Sequence, residues 1–305
     1  MPRLPMRTAA ALAALIALMA LFAASAHAAG TDKGIPVYAA GDIARCAYHD
    51  AAYSGAAATA DTVAAGLAQD PRAVVLAVGD LTYPVGTAQE FTDCYGPTWG
   101  RFKDRTWPAP GNHEYYTPGA TPYFAYWGAR AGRGYYSFEV GTWHVISLDS
   151  DLAGAAHAAQ LDWLRADLAA HPARCTLAYW HHPLYSSGGH GSVPTMHDAW
   201  KLLYDAGAEL VLSGHDHDYE RFAPQDADGR LDPARGIRQF VVGTGGAFPT
   251  PFLLTVPHSE VRDANRTGVL RLQLYPGGYG WEFIESTRLY PFGVAPPDRG
   301  SAACH

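Results

Sequence analysis

Five short apolar runs in this 305-residue chain each stop at residues able to hold a metal ion. Pro36 to Ala40 runs into Gly41-Asp42, and Ala73 to Val78 into Gly79-Asp80. Trp107 to Pro110 runs into Gly111-Asn112-His113-Glu114. Cys175 to Trp180 runs into His181-His182-Pro183, and Glu209 to Leu212 into Ser213-Gly214-His215-Asp216-His217. Continuous apolar runs of this length read as strands buried on both faces, the mark of a layered α/β fold. In such folds ligands gather at the carboxyl ends of the strands. A single Gly-Asp, or one histidine in a loop, is common in proteins that bind nothing. Five such ends in one chain confine the fold to one that brings them together.

Between these runs lie helical stretches, Thr59 to Gln69 (stopped by Asp70-Pro71), Ala158 to Ala170 and Met196 to Asp205. In the second, Leu161, Leu164 and Leu168 share a face. Tyr135 to Val140 and Trp143 to Leu148 form a hairpin around Gly141-Thr142. Val269 to Tyr275 and Tyr279 to Ile284 form another around Pro276-Gly277-Gly278, and Gln239 to Val242 is a further strand. Alternation gives way to hairpins, which argues for mixed rather than purely parallel sheets. Residues 84–106 and 183–195 read as long loops, a frequent place for function.

The first residues read as a removable leader. Arg3 and Arg7 precede an Ala/Leu-rich stretch, Ala9 to Ala24, and Ala26-His27-Ala28 offers small residues for cleavage. The expected division is a signal peptide over 1–28 and a single catalytic domain over 29–305. An uncleaved anchor is the alternative, but the run is shorter than the ~20 residues that a membrane span needs. The protein is thus expected to be secreted or periplasmic, with no membrane attachment after cleavage. Its net charge of −7 and the lack of a Lys/Arg cluster leave no nucleic-acid-binding surface in view. Oligomeric state is not legible. Cys46, Cys94, Cys175 and Cys304 make an even set, suited to two disulfides in an exported chain. Three pairings are open. Cys46–Cys94, tying two early loops, and Cys175–Cys304, pinning the tail, is the favoured one.

The ligand types select a chemistry. Two carboxylates, an amide oxygen and several imidazoles, without thiolate, suit iron, zinc or manganese. They are too many for one ion with an open position, so two ions sharing a carboxylate fit better. Two-metal sites recur in phosphoester hydrolysis, where they supply hydroxide and neutralise phosphoryl oxygens.

Taken in order, Gly41-Asp42, Gly79-Asp80, Gly111-Asn112-His113-Glu114, His181-x-Pro183 and Gly214-His215-x-His217 resemble the calcineurin-like metallophosphoesterase superfamily. The resemblance runs from about residue 36 to 246. It implies a four-layer α-β-β-α sandwich of two mixed sheets flanked by helices. Many members place a histidine two residues after the first aspartate, where this chain has Ala44. Gly79-Asp80-Leu81-Thr82-Tyr83 instead is similar to the Gly-Asp-x-x-Tyr of the purple acid phosphatases, and Gly214 to Arg221 to their Gly-His-x-His-x-Tyr-Glu-Arg. Asp42-Ile43-Ala44 departs from the usual Asp-x-Gly by one small residue. The chain also lacks the N-terminal β domain of the large plant enzymes and looks like a compact bacterial-type relative.

By this resemblance Asp42, Tyr83 and His217 hold a first metal, iron(III). Asn112, His181 and His215 hold a second, a divalent iron, zinc or manganese, and Asp80 bridges the two. His113 faces the substrate as the catalytic residue, with Glu114 orienting it. The resemblance selects His181 from the doublet, leaving His182 beside the site. His190 falls where relatives bind substrate, though a plain loop surface is an equal reading.

Other polar residues have plainer readings: His144 as a core or edge histidine, His157 and His171 as solvated flanks of a helix. Gly243-Thr244-Gly245-Gly246 reads as a tight turn, and Tyr219, Glu220 and Arg221 as supports of the site. No Gly-x-Ser-x-Gly elbow is present. The expected function is an acid phosphatase acting on small phosphate monoesters. The alternatives are a zinc or manganese phosphodiesterase or nucleotidase of the same fold, and a noncatalytic metal- or phosphate-binding protein.

Overall fold

The chain is represented by a computed structural model, which describes residues 33–46, 50–288 and 297–305. The expected leader lies outside the described residues. Ile35–His305 forms one unit. Its strands are β1 (Ile35–Ala40), β2 (Val74–Val78), β3 (Thr106–Ala109), β4 (Tyr136–Val140), β5 (Trp143–Ser147), β6 (Cys175–Tyr179), β7 (Leu210–Ser213), β8 (Tyr219–Phe222), β9 (Arg238–Val242), β10 (Ser259–Asp263), β11 (Arg266–Tyr275), β12 (Gly278–Arg288) and β13 (Arg299–Ala303). The helices used below are α1 (Gly55–Gln69), α2 (Asn112–Tyr115), α3 (Thr121–Trp127), α4 (Gly154–Ala170) and α5 (His197–Asp205).

Side chains along a strand alternate between faces, and here both faces are covered. In β1, Val37 and Ala39 enter a central core while Tyr38 and Ala40 face a helical layer. β2 divides the same way, Leu76 and Val78 against Val75 and Ala77. In the second sheet Leu177, Tyr179, Leu210 and Leu212 join the central core, and Ala178 and Val211 turn outward. The outer layer on β1 and β2 contains Ala56, Ala60 and Val63 of α1, with Tyr95, Trp99, Tyr123 and Trp127. On the other sheet it contains Leu164 of α4 and Ala199, Trp200 and Leu203 of α5. The result is the expected four-layer α-β-β-α sandwich. It also explains why the strands read as unbroken apolar runs.

The sheets are mixed. One has the order β13-β12-β11-β1-β2-β3 and the other β10-β8-β9-β7-β6-β5-β4. β1, β2 and β3 are parallel in the first, as are β5, β6, β7 and β9 in the second. The β13, β10 and β4 edges are antiparallel, whereas the β3 edge is parallel. Cys175, at the start of β6, is bonded to Cys304, just past β13, so this bridge joins the two sheets across 129 residues. Cys46 is bonded to Cys94.

Several boundaries differ from expectation. α1 starts at Gly55 because Ser54 caps it, its Oγ accepting from the Ala57 N–H at 3.2 Å. α4 starts at Gly154, which places His157 inside the helix and partly buried rather than in solvent beside it. Residues 84–106 are not plain loop but contain short helical turns whose Phe91, Tyr95 and Trp99 pack in the outer core. Strands β8, β10 and β13 were not expected. β8 carries Glu220 and Arg221, β10 is Ser-Glu-Val-Arg-Asp and β13 is Arg-Gly-Ser-Ala-Ala, so none shows an apolar run.

Replacing Cys175 and Cys304 together by alanine should lower the unfolding free energy by about 2–4 kcal/mol, because the loop released is long. A fall in the urea midpoint is the expected reading, and an unchanged midpoint would contradict it.

Candidate metal centre

The five ligand-bearing ends come together where the two sheets meet. The Gly41 N–H donates to the Val242 carbonyl at 3.0 Å, linking the end of β1 to β9 in the other sheet. The segment after β1 then zips onto the segment after β2: Asp42 N to Gly79 O at 3.1 Å, Ile43 N to Asp80 O at 2.9 Å, Ala44 N to Leu81 O at 3.0 Å, and Tyr83 N back to Ala44 O at 3.0 Å. Asp42, Asp80 and His215 all have left-handed backbone, with φ of 58°, 48° and 71°. Each such residue costs roughly 1–3 kcal/mol and persists only where its surroundings enforce it. The packing is close enough to demand glycine. A Cβ on Gly79, itself at φ 77°, would lie 2.5 Å from His181 Nδ1, and one on Gly111 would lie 2.3 Å from Asp80 Oδ1.

Both aspartates are buried, and each divides its two oxygens between structure and site. Asp42 Oδ2 accepts the His215 N–H at 2.8 Å, and Asp80 Oδ1 accepts the His113 N–H at 2.9 Å. The other oxygens face the Tyr83 hydroxyl, Asp42 Oδ1 at 2.9 Å and Asp80 Oδ2 at 3.1 Å. His217 Nε2 also lies 3.1 Å from that hydroxyl and 3.2 Å from Asp42 Oδ1. Its Nδ1 is 2.7 Å from the Phe248 carbonyl and donates its proton there. The phenol has one proton for two carboxylate acceptors. Burial, followed by Asp42 and Asp80, pushes its pKa well above the ordinary value. Deprotonation therefore requires a strong positive charge in its place.

The second group is Asp80, His181 and His215, whose ligating atoms lie within 4.8 Å of one another. His181 Nδ1 lies 3.0 Å from the Val78 carbonyl, and its Nε2 is 3.2 Å from Asp80 Oδ2, buried and with no hydrogen-bond partner. Asn112 Oδ1 is likewise buried without a partner, while its Nδ2 donates to the Tyr116 hydroxyl at 3.0 Å. Histidines that donate Nδ1–H to a carbonyl and aim Nε2 inward are arranged as metal ligands are. Burial alone would lower the His181 pKa, but Asp80 and Asp42 push it up to about 10. The field that would hold a proton there would also hold a cation. Burial, with His181 and His182 nearby, takes His215 down to about 2, so its imidazole is neutral and its lone pair free. Two unpartnered buried donors and a field this negative fit a pair of metal ions.

The remaining expected residues surround this group. His113 Nδ1 is 2.6 Å from the Pro84 carbonyl, and its Nε2 stands 3.8 Å from Asp80 Oδ2. Glu114 does not orient the His113 ring. It is buried and accepts from the N–H groups of Leu81, Thr82 and Gly111 at 2.9, 3.3 and 2.8 Å, fastening one ligand loop to another. His182 Nδ1 lies 3.0 Å from Ser150 Oγ, and its ring packs 4.3 Å from that of His215. The partly exposed His190 ring is 4.6 Å from His215 and 6.0 Å from His217.

Sequence reading missed Asp216, which builds the His190 corner. It is buried and accepts from the N–H groups of His190 and Gly191 at 2.7 and 3.2 Å and from Ser186 Oγ. Its only sequence signal is its place between the two ligand histidines. The hydrogen bond that the His190 ring donates to Asp216 holds the His190 pKa up. Tyr219 and Arg221 face away from the centre, both bonded to Asp298. Glu220 acts indirectly, accepting the Ser187 N–H at 2.8 Å and so holding the His190 loop. The 243–246 turn is as expected, with a Cβ on Gly243 falling 2.8 Å from Asp42 Oδ2.

Comparison with known proteins agrees with this geometry. The calcineurin-like phosphoesterase family model matches residues 35–219. Purple acid phosphatase 15 of Arabidopsis thaliana is 30% identical over 228 residues, 62% of this chain and 42% of that protein. Purple acid phosphatase 18 of the same plant is 35% identical over 118 residues, 37% of this chain and 26% of that one. The matches thus span less than half the length of these relatives. Among solved structures, the purple acid phosphatase PPD1 from yellow lupin superposes with a TM-score of 0.68 at 19% identity, over 90% of this chain and 54% of that one. GAP50, the anchor in the inner membrane complex of Plasmodium, gives 0.67 at 15% identity, over 88% and 89%. These two likenesses are of fold. The family match covers every proposed ligand from Asp42 to His217, and the chain belongs to the calcineurin-like phosphoesterase family.

Proposed function

We propose that this protein is an exported acid phosphatase of the purple type, hydrolysing phosphate monoesters at a dinuclear metal centre. The leader over 1–28 and the two disulfides support export, and no described helix is long and apolar enough to cross a membrane. The observation that carries the reading is the Tyr83 hydroxyl, 2.9–3.1 Å from Asp42, Asp80 and His217. Asp42, Tyr83 and His217, with Asp80, would hold iron(III). Asn112, His181 and His215, again with Asp80, would hold a divalent iron, zinc or manganese ion. Bound together, such ions supply a nucleophile of lowered pKa and neutralise phosphoryl charge.

The chain's own groups divide the remaining work. His113, fixed through Nδ1, presents Nε2 over Asp80, where it can donate a proton to the leaving oxygen. His190, whose pKa the contact with Asp216 raises, offers a donor beside the site for a dianionic monoester. Burial holds His182 down at about 3, so it contributes as a neutral ring.

Tyr83→Phe tests the first metal. Wild-type protein loaded with iron should show the visible charge-transfer band of a phenolate–iron(III) pair, and the variant should lose both that band and much of its iron. A coloured protein whose band survives Tyr83→Phe removes Tyr83 from the ligand set. Activity on p-nitrophenyl phosphate should exceed that on its bis ester. Release of phosphate from neither, nor from nucleotides, would refute the enzyme reading. His190→Ala should raise KM for the monoester about tenfold while changing kcat little, as loss of one charge-assisted contact implies. A fall confined to kcat would place His190 in the chemistry instead.

A further inference from the structure

A second cluster of potential ligands lies at the opposite end of the second sheet. β5 and β6 are parallel neighbours, so α4, which connects them, must run back along them. Its last turn therefore lies at the beginnings of these strands, whereas the His181 centre lies at their ends. Asp167 and His171, four residues apart, share one face of that turn. His144, the second residue of β5, meets them from the sheet.

His144 Nε2 is 2.7 Å from Asp167 Oδ2, and His171 Nδ1 is 3.2 Å from Asp167 Oδ1 and 3.0 Å from the Asp167 carbonyl, a contact that an ion bound at Nδ1 would replace. One ligand atom from each of the three residues falls within 4.8 Å of the other two. The His144 and His171 rings are nearly parallel, with centroids 5.0 Å apart. Around a tetrahedral zinc ion with ligands at about 2.0–2.2 Å, neighbouring ligand atoms are about 3.4 Å apart. The two short separations need open by less than about 1 Å to reach that geometry.

The surroundings fit a cation as well. His144 Nδ1 lies 2.7 Å from Glu139 Oε1 on the paired strand β4, the carboxylate–histidine arrangement that orients a metal-bound imidazole. Neither Asp167 nor Glu139 has a Lys or Arg partner among the described residues; imidazoles and the Ser137 hydroxyl, which donates to Asp167 Oδ1 at 2.7 Å, face these carboxylates. His144 is buried, Asp167 nearly so, and His171 is half exposed. The cluster is thus walled on the protein side and open to water on the other.

We propose that His144, Asp167 and His171 form a zinc site separate from the phosphatase centre, with Glu139 orienting His144 and water completing the coordination. Two imidazoles and a carboxylate suit zinc better than magnesium or calcium. Bound there, zinc cross-links the end of α4 to the β4–β5 edge.

The test uses full-length protein carrying His171→Ala, a half-exposed position where truncation spares the fold. After equilibration with zinc and removal of excess, metal analysis should find one zinc fewer per chain than in wild type. Hydrolysis of p-nitrophenyl phosphate should be the same in both, showing that the other centre is unaffected. Added zinc should raise the melting temperature of wild type more than that of the variant. Glu139→Gln should retain the site with about tenfold weaker zinc binding. Equal zinc content and equal thermal response in wild type and His171→Ala would overturn the proposal, leaving the cluster as a histidine bridging two carboxylates by protons. If His171→Ala proves unstable, the zinc titration of Glu139→Gln decides, and unchanged affinity counts against the site.

Discussion

The buried carboxylates of Asp42 and Asp80 organise the candidate metal centre. Each uses one oxygen to accept a backbone N–H from another ligand loop, His215 for Asp42 and His113 for Asp80. The first of these bonds crosses from one sheet to the other. The remaining two oxygens point at the same hydroxyl. The aspartates thus fix the loops that carry the imidazoles and also create the negative field those loops surround. Removing either charge would disturb position and electrostatics together, since a buried N–H without an acceptor costs about 1–3 kcal/mol.

The sandwich makes this economical. Two sheets with covered faces have rigid strands, so the strand ends are placed by packing rather than by loop contacts. The strain is confined to the last residues. Three ligand-bearing positions have left-handed backbone, and glycines sit where a Cβ would strike a ligand. Glu114 joins the loops after β2 and β3 with three N–H acceptances, and Asp216 does the same for the His190 loop. The cystine at Cys175–Cys304 ties the two sheets at the other end.

The ligand-bearing strands were legible because their apolar runs, covered on both sides, leave an unbroken signal in the sequence. The Asp42, Asp80, Asn112, His181, His215 and His217 positions follow from where those runs stop. Strands β8, β10 and β13 were not legible, because Glu220, Arg221 and Arg299 interrupt any apolar pattern and pairing partners set the register. Glu114 does not do what its place beside His113 suggests. Its neighbour in sequence is His113, but its hydrogen bonds go to backbone 32 and 33 residues away as well as to nearby Gly111. Asp216 was overlooked for a related reason. A carboxylate between two ligand histidines invites reading as a spacer, and only the fold shows that it faces the His190 loop.

Tyr83 shows how local geometry and chemistry combine. Its N–H is bonded to the carbonyl of Ala44, which holds the tyrosine's backbone beside the segment that carries Asp42. Its hydroxyl meets two carboxylate oxygens with one proton to give. Burial and two carboxylates hold the proton on strongly, so a weakly charged ion would gain little by displacing it. In the proposed centre a trivalent ion would gain most, because it would convert a poorly satisfied hydroxyl into a phenolate ligand and neutralise both aspartates at once. In the proposed centre, then, the charge of the first ion would be tied to this one hydroxyl and the two aspartates around it.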